Sequence, residues 1–254
     1  MLARLGIGKL VVVDPDTVEE KNLNRILNST MEDARQRRAK VEVLADAVRR
    51  MGLGTCVEPF DKSLLDPEVV RAVADCDLVF GCVDSVEGRW ILNRLATFYV
   101  LPYFDVGVRL EADGAGGIDE ICGSVNYLQP DGSSLLSRGL FSLEQVRADG
   151  ARRRNPGDYE NLRREGYIAG VAVDRPAVVS VNMQLASMAV NELLARLHQY
   201  RDEPNADYAR LTVSISQVRF YPEAEGAPCP VLARQIGRGD VVPLLDNVEL
   251  GQCT

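Results

Sequence analysis

The chain has 254 residues, 46% of them hydrophobic and 26% charged, and a formal net charge of −8. That acidic balance argues against a nucleic-acid surface, which needs clustered Lys and Arg to neutralise phosphates. No apolar run is long enough to span a bilayer and the first residues do not form a secretory signal peptide, so no membrane association is expected and the cytoplasm is the expected compartment.

In chain order, Lys9–Asp14 is a continuous apolar strand of the kind buried on both faces. Asp33–Met51 has helical spacing, with Val41, Leu44, Ala45 and Val48 on one face and Gly52 as a stop. Thr55–Phe60 reads as a strand, Pro67–Ala74 as a short helix, Asp77–Val83 as a second buried strand, Glu87–Tyr99 as a helix and Pro102–Val108 as a strand. Strands alternating with helices imply parallel pairing and right-handed crossovers. The second half changes character. Gly114–Gly117 is a glycine-rich turn, Ile118–Leu128 a strand or hairpin arm, and Pro130 to Arg175 a polar, irregular stretch of the kind that is functional or mobile. Pro176–Leu197 is a strong helix, with Val179, Met183, Ala186, Val190, Leu193 and Leu197 at helical spacing, and Leu211–Tyr221 alternates like an antiparallel strand. The expected fold class is α/β, a Rossmann-like doubly wound mixed sheet with a parallel first half and antiparallel strands in the second.

The six cysteines show neither CxxC spacing nor a disulfide-framework pattern, and most read as small buried hydrophobes in a reducing compartment. The single histidine, His198, cannot build a histidine-based metal site. The basic stretches Arg35–Lys40 and Arg152–Arg154 read as solvated helix faces or loops.

In a doubly wound sheet, ligands bind outside the carboxyl ends of the strands, and two such ends carry acids here. Asp14, with Asp16 close behind, closes the first strand, where a carboxylate can accept hydrogen bonds from ribose hydroxyls. The polar loop that follows ends in Asn22, Asn24 and Arg25, and Arg25 offers a planar fork to phosphate oxygens. Lys40 supplies a point charge near the start of a helix. Asp84 follows Leu78–Val83, where a lone carboxylate can hold Mg²⁺ against substrate phosphates. Such a set would polarise a phosphoanhydride and neutralise departing pyrophosphate by positioning and electrostatics. Taken singly, each residue also suits a structural role: Asp14 as a strand end before a turn enforced by Pro15, Asp84 as a helix cap, Lys40 and Arg25 as solvated side chains. A nicotinamide-dependent oxidoreductase suits the fold only, for the G-x-G-x-x-G turn and a catalytic histidine are lacking.

Three segments in this order, LARLGIGKLVVVDPDTVEEKNLNR, RRAKVEVLADAVRR and DLVFGCVDSVEGRWILNR, resemble the ThiF-like, or ubiquitin-activating, superfamily over about Leu2 to Val108. The helix beginning at Pro176 is similar to that family's helix after its crossover loop. The resemblance implies that Asp14 binds ribose, that Asn22 and Arg25 contact phosphates, with Asn24 in the same loop, that Lys40 contacts the α/β-phosphate region and that Asp84 holds Mg²⁺. Arg89 stands where the family's aspartate motif places a basic residue. ATP and Mg²⁺ are the implied cofactors. The implied reaction is attack of the C-terminal glycine carboxylate of a ubiquitin-like or sulfur-carrier protein on the ATP α-phosphate, giving an acyl-adenylate and pyrophosphate. A homodimer is implied as well.

The sequence departs from the family's pattern in three respects. MLARLGIG resembles the end of the helix that follows the family's glycine-rich loop, so the loop and its strand are expected to be absent, with unpaired sheet edges and weakened nucleotide affinity; an internal methionine of a longer protein is the preferred explanation over a degraded relative. The stretches matching the family's zinc-binding CxxC pairs, Ser133–Ser137 and Ala227–Ala233, keep Cys229 alone, and no zinc is expected. No cysteine lies between Cys122 and Cys229, and Cys82 and Cys122 read as packed thiols, so the chemistry is expected to stop at the adenylate. The organisation expected is a single adenylation domain over 1–254, with a nucleotide-binding half (1–110) and a partner-binding half (111–254) whose crossover loop, at about 130–175, clamps the partner's tail. The arginines Arg152–Arg154, Arg163 and Arg164 of that stretch would attract an acidic partner. A catalytically impaired binding module or scaffold subunit recognising such a partner is the alternative.

Overall fold

The structure, a computed structural model, describes residues 1–112, 118–157 and 179–251. It divides into two compact units: Met1–Asp77 with Ala177–His198 and Gly239–Thr254, and Leu78–Pro176 with Gln199–Arg238.

In the first unit, β1 (Lys9–Val13) pairs in parallel with β2 (Cys56–Phe60), Lys9 opposite Cys56 and Val13 opposite Phe60. Helix α2 (Lys40–Met51) packs on β2, and α3 (Pro67–Ala74) packs on β1. The capping residues explain the boundaries. Asp66 caps α3 with Pro67 at its first position, and Gly52 closes α2 in the left-handed conformation at φ 65°. The single helix expected over Asp33–Met51 is two. Thr30 and Asp33 form a capping box that starts α1 at Met31–Arg35, and the chain then leaves the helix so that Ala39 can bridge Thr17 and the Arg38 carbonyl can accept from Val18 N–H at 2.8 Å. Leu44, expected on the buried face of α2, is exposed, and Val43 and Ala47 are buried instead. Helix α6 (Val179–His198) buries Val181, Leu185, Ala189 and Leu193 at i, i+4 spacing, a stripe offset from the one expected, and Leu197 is exposed. Pro176 lies outside the described residues.

In the second unit, β3 (Val79–Gly81), β4 (Tyr103–Ala112), β5 (Ile118–Leu128), β6 (Arg210–Ser214) and β7 (Arg219–Glu223) lie side by side in that order. β3 and β4 are parallel and the remaining pairs antiparallel. The α/β class, parallel first and antiparallel later, is therefore what the structure shows, with the strands shared between two sheets. The single strand expected over Leu211–Tyr221 is a hairpin, β6 and β7, turning through Ile215 to Val218, where Val218 takes φ 54°. β7 forms an edge of the sheet and includes Pro222. Helix α4 (Val86–Tyr99) packs on β3 and β4, and along the sheet Phe80 stacks on Phe104 at 4.8 Å while Tyr127 meets Phe104 at a tilt, 5.0 Å away.

The stretch expected to be irregular from Pro130 contains helix α5 (Leu143–Arg154), started by a Ser142–Gln145 capping box. Its sequence is polar on nearly every face, so it carries no apolar periodicity; its one buried residue is Gly150. Arg163 and Arg164, like the Gly114–Gly117 turn, lie outside the described residues. Of the described cysteines only Cys229 is buried, whereas Cys56 and Cys82 are exposed, one at a strand start and the other in the loop after β3. Among the described residues no helix is long and apolar enough to cross a membrane.

Candidate nucleotide and metal site

In the first unit the site begins where β1 ends. Asp14 N–H is the last to join the sheet, donating to the Phe60 carbonyl at 3.2 Å, and Pro15 then turns the chain. The turn is closed by Asp16 N–H donating to Asp14 Oδ1 at 2.9 Å. The break between α1 and α2 puts Lys40 at the first residue of α2, its N–H on the Asp16 carbonyl at 3.0 Å. Its ammonium Nζ stands 2.6 Å from Asp16 Oδ2 and 3.7 Å from Asp14 Oδ2, forming a compact Asp–Asp–Lys cluster. Partial burial pushes the Asp14 carboxyl up, opposed by Asp16 N–H and by Lys40.

The loop carrying the other expected phosphate ligands is tied to α2 through a small apolar core of Val18, Ala34 and Val43 with Leu23 against it. Its three polar residues differ in availability. Asn22 is buried, and its Oδ1 accepts from Glu19 N–H at 3.2 Å in a capping box. Asn24 is exposed, and Arg25 Nη1 donates to the Lys21 carbonyl at 2.9 Å and to Asn24 Oδ1 at 3.4 Å. The structure thus brings Asp14, Asp16 and Lys40 together and joins Arg25 to Asn24, while Asn22 holds the loop from inside.

In the second unit Asp84 follows β3 through Cys82 and Val83. The cap of α4 is Ser85, whose Oγ accepts from Gly88 N–H at 3.1 Å, so Asp84 has no capping duty. Asp84 is exposed and has no hydrogen bond or ion pair among the described residues. Among those residues no three His, Cys, Asp or Glu side chains gather closely enough to hold a metal. A Mg²⁺ held by one carboxylate together with substrate phosphates and waters needs no such group, and a free exposed carboxylate at a strand end fits that arrangement.

Around this loop, beside Arg89, stand residues such as Asp105, Tyr103 and Asn126 that the sequence did not single out. Asp105 on β4 has no exposed surface. Burial pushes its carboxyl up, against the pull of Arg89, Tyr103 and Asn126. Tyr103 Oη donates to Asp105 Oδ1 at 3.2 Å and Asn126 Nδ2 to Asp105 Oδ2 at 3.4 Å. Burial and Asp105 push the Tyr103 phenol well above its ordinary value. Arg89 Nε lies 3.3 Å from the Val83 carbonyl and 3.5 Å from Asp105 Oδ1. Helix α5 holds the first turn of α4, since Asp149 Oδ2 accepts from Glu87 N–H at 3.0 Å and Arg153 pairs with Glu87 at 2.7 Å. The arginine run expected to be open therefore has its middle member engaged. A lone acid inside the apolar stretch PYFDVGV was the available signal for Asp105; nothing in the sequence pointed to Asp149.

A model of the ThiF family matches residues 1–230. Similar proteins include ubiquitin-like modifier-activating enzyme 5 of Aedes aegypti, 31% identical over 244 residues and covering 91% of this chain and 53% of the relative. The SAMP-activating enzyme E1 of Haloferax volcanii is 32% identical over 131 residues, 52% of this chain and 44% of the relative. The molybdopterin-synthase adenylyltransferase of Escherichia coli is 37% identical over 92 residues, 36% of each. The chain spans about half or less of the length of these relatives. Among solved structures, E. coli MccB with ATP superposes with a TM-score of 0.63 at 15% identity, over 91% of this chain and 60% of MccB, a likeness of fold.

Proposed function

Because this chain belongs to the ThiF family, we propose that it is an ATP- and Mg²⁺-dependent adenylyltransferase acting on the C-terminal glycine carboxylate of a ubiquitin-like or sulfur-carrier protein. The observation that carries this reading is the Asp14–Asp16–Lys40 cluster at the end of β1. Asp14 accepts hydrogen bonds from the ribose hydroxyls. Lys40, exchanged from Asp16 to the incoming nucleotide, joins Arg25 on the phosphate oxygens, and Asn22 and Asn24 hold the loop that presents Arg25. Mg²⁺ held by Asp84 would neutralise phosphate charge. A carboxylate oxygen of the carrier attacks the α-phosphorus while the bond from that phosphorus to the bridging oxygen breaks. Pyrophosphate leaves with the electron pair, and no proton need move. The protein's part is positioning and charge stabilisation, which suits a cluster of fixed charges without a nucleophile or general base. With no cysteine between Cys122 and Cys229, the reaction ends at the acyl-adenylate. The chain is read as one adenylation domain with a nucleotide-binding half (1–110) and a partner-binding half (111–254), working as a homodimer in the cytoplasm.

Radiolabelled pyrophosphate is expected to exchange into ATP only when the cognate carrier is present. A full-length protein that binds its carrier yet supports no exchange would sink the adenylation reading. The internal engagement of Asn22 and Lys40 favours a second reading, a partner-binding module that does not turn over ATP. Calorimetry separates the two, since the module gives heat with carrier and none with ATP.

A further inference from the structure

The loop from Cys82 to Ser85 is anchored on both sides of Asp84. On the far side, Ser85 is fixed by its own cap on Gly88 N–H. On the near side, the Val83 carbonyl accepts from Arg89 Nε at 3.3 Å. A guanidinium at the end of a long side chain holds such a bond only if its own orientation is fixed. Two contacts do that. Asp105 Oδ1 lies 3.5 Å from the same Nε, and the Gly107 backbone runs so close that a Cβ there would collide with Nη2. Asp105 in turn is held by Tyr103 and Asn126, and Asn126 Oδ1 is buried without a partner among the described residues.

A fully buried carboxylate paired with an arginine contributes little net stability, because an apolar pair of similar volume does as well or better. What the pair does provide is direction. We propose that Asp105 is a positioning residue for Asp84, acting through Arg89 to fix the Val83 carbonyl and so the loop that presents the metal-binding carboxylate. This rests on the assignment of Asp84 as the Mg²⁺ ligand. Asp105 touches neither metal nor nucleotide; it sets the place from which Asp84 reaches them. Outer partners that orient a metal ligand typically change affinity 10- to 100-fold when removed.

The test is titration of the full chain with Mn²⁺ in the presence of an ATP analogue with a non-hydrolysable α,β-bridge, following free Mn²⁺ by electron paramagnetic resonance. Neither carrier nor turnover is needed. Asp105→Asn keeps the shape and removes the charge that holds Arg89, and is expected to weaken Mn²⁺ binding by about 10- to 100-fold in a protein that still melts cooperatively. Should Asp105→Asn fail to fold, Arg89→Lys decides, because it keeps a cation opposite Asp105 while losing the Nε donor to Val83; the same weakening is expected. A folded variant of either kind that binds Mn²⁺ as the wild type does overturns the proposal, as does a wild type that retains no Mn²⁺ with the analogue. Mn²⁺ binding that responds to both variants, in a protein with no carrier-dependent exchange, supports the brace and removes the adenylation reading alone.

Discussion

A buried acid such as Asp105 has to be answered locally, and the answer comes from three elements at once: Arg89 on α4, Tyr103 on its own strand and Asn126 on β5. That is why sequence reading singled out Asp14, Lys40 and Asp84 as candidates and passed over Asp105. The former stand at strand and helix ends, where turn residues and apolar runs mark the place. Two of the partners of Asp105, Arg89 and Asn126, are distant in sequence, and no local pattern connects them to it. Asn22 illustrates the opposite case, a residue found by motif whose side chain the fold turns inward as a cap. The close approach of Arg89 to Gly107 gives a direct prediction. Gly107→Ala forces the guanidinium aside and is expected to cost about 1–3 kcal/mol in urea unfolding. In Arg89→Ala the same substitution should be nearly free, so a double-mutant cycle measures the contact.

Among elements, Ser133–Ser137 and Ala227–Ala233 are the stretches without paired cysteines, and the structure shows a polar clip beside them that joins Ser133 and Arg138 to Glu225. Ser133 N–H donates to Glu225 Oε1 at 3.0 Å, and Ser133 Oγ bonds the same oxygen. Arg138 Nη2 meets Glu225 Oε2 at 3.2 Å and also donates to the Tyr127 carbonyl at 2.8 Å, while its Nη1 donates to that of Ala209 at 2.9 Å. The clip was illegible because serine, arginine and glutamate carry no spacing rule comparable to paired cysteines. Arg138→Ala should cost about 3 kcal/mol, read from a urea midpoint, since it removes the cation paired with a partly buried carboxylate and the guanidinium donor to two carbonyls. Burial works to raise Glu225, but the Ser133 hydroxyl and N–H, with Arg138, outweigh it and hold the carboxyl below its ordinary 4.5. A depressed folded value means that the unfolded chain takes up the proton first. The contribution is therefore complete above pH 4.5 and lost as pH falls through the folded value. Glu225→Gln is expected to be less stable at neutral pH and to lose less on acidification than the wild type. Helix α5 belongs to this scale too: its polar sequence hid it from periodicity, and its capping box was the signal that would have revealed it.

For the whole molecule, alternation of apolar strands and amphipathic helices was enough to give an α/β fold with parallel pairing first and antiparallel strands later. It did not show that the strands fall into two sheets, because hydrophobic runs state that a strand is buried and not which neighbour it chooses. The proposed ligands are likewise distributed, Asp14, Arg25 and Lys40 in one unit and Asp84 in the other. Mg·ATP at 100 times its dissociation constant is expected to stabilise the wild type by about 2.7 kcal/mol in calorimetric melting. Lys40→Ala and Asp84→Asn should each lose most of that gain. The outer rim of the larger sheet has a separate consequence. β7 presents exposed Phe220 and Tyr221, a surface that in an ordinary strand would recruit further chains, and among the described residues nothing pairs with its free side. Pro222 has no N–H to offer there, and Arg219 and Glu223 put charge at either end. A sheet edge that carries a proline between charged residues is a poor seed for fibre growth, so its aromatic residues can meet water without offering a template to another strand.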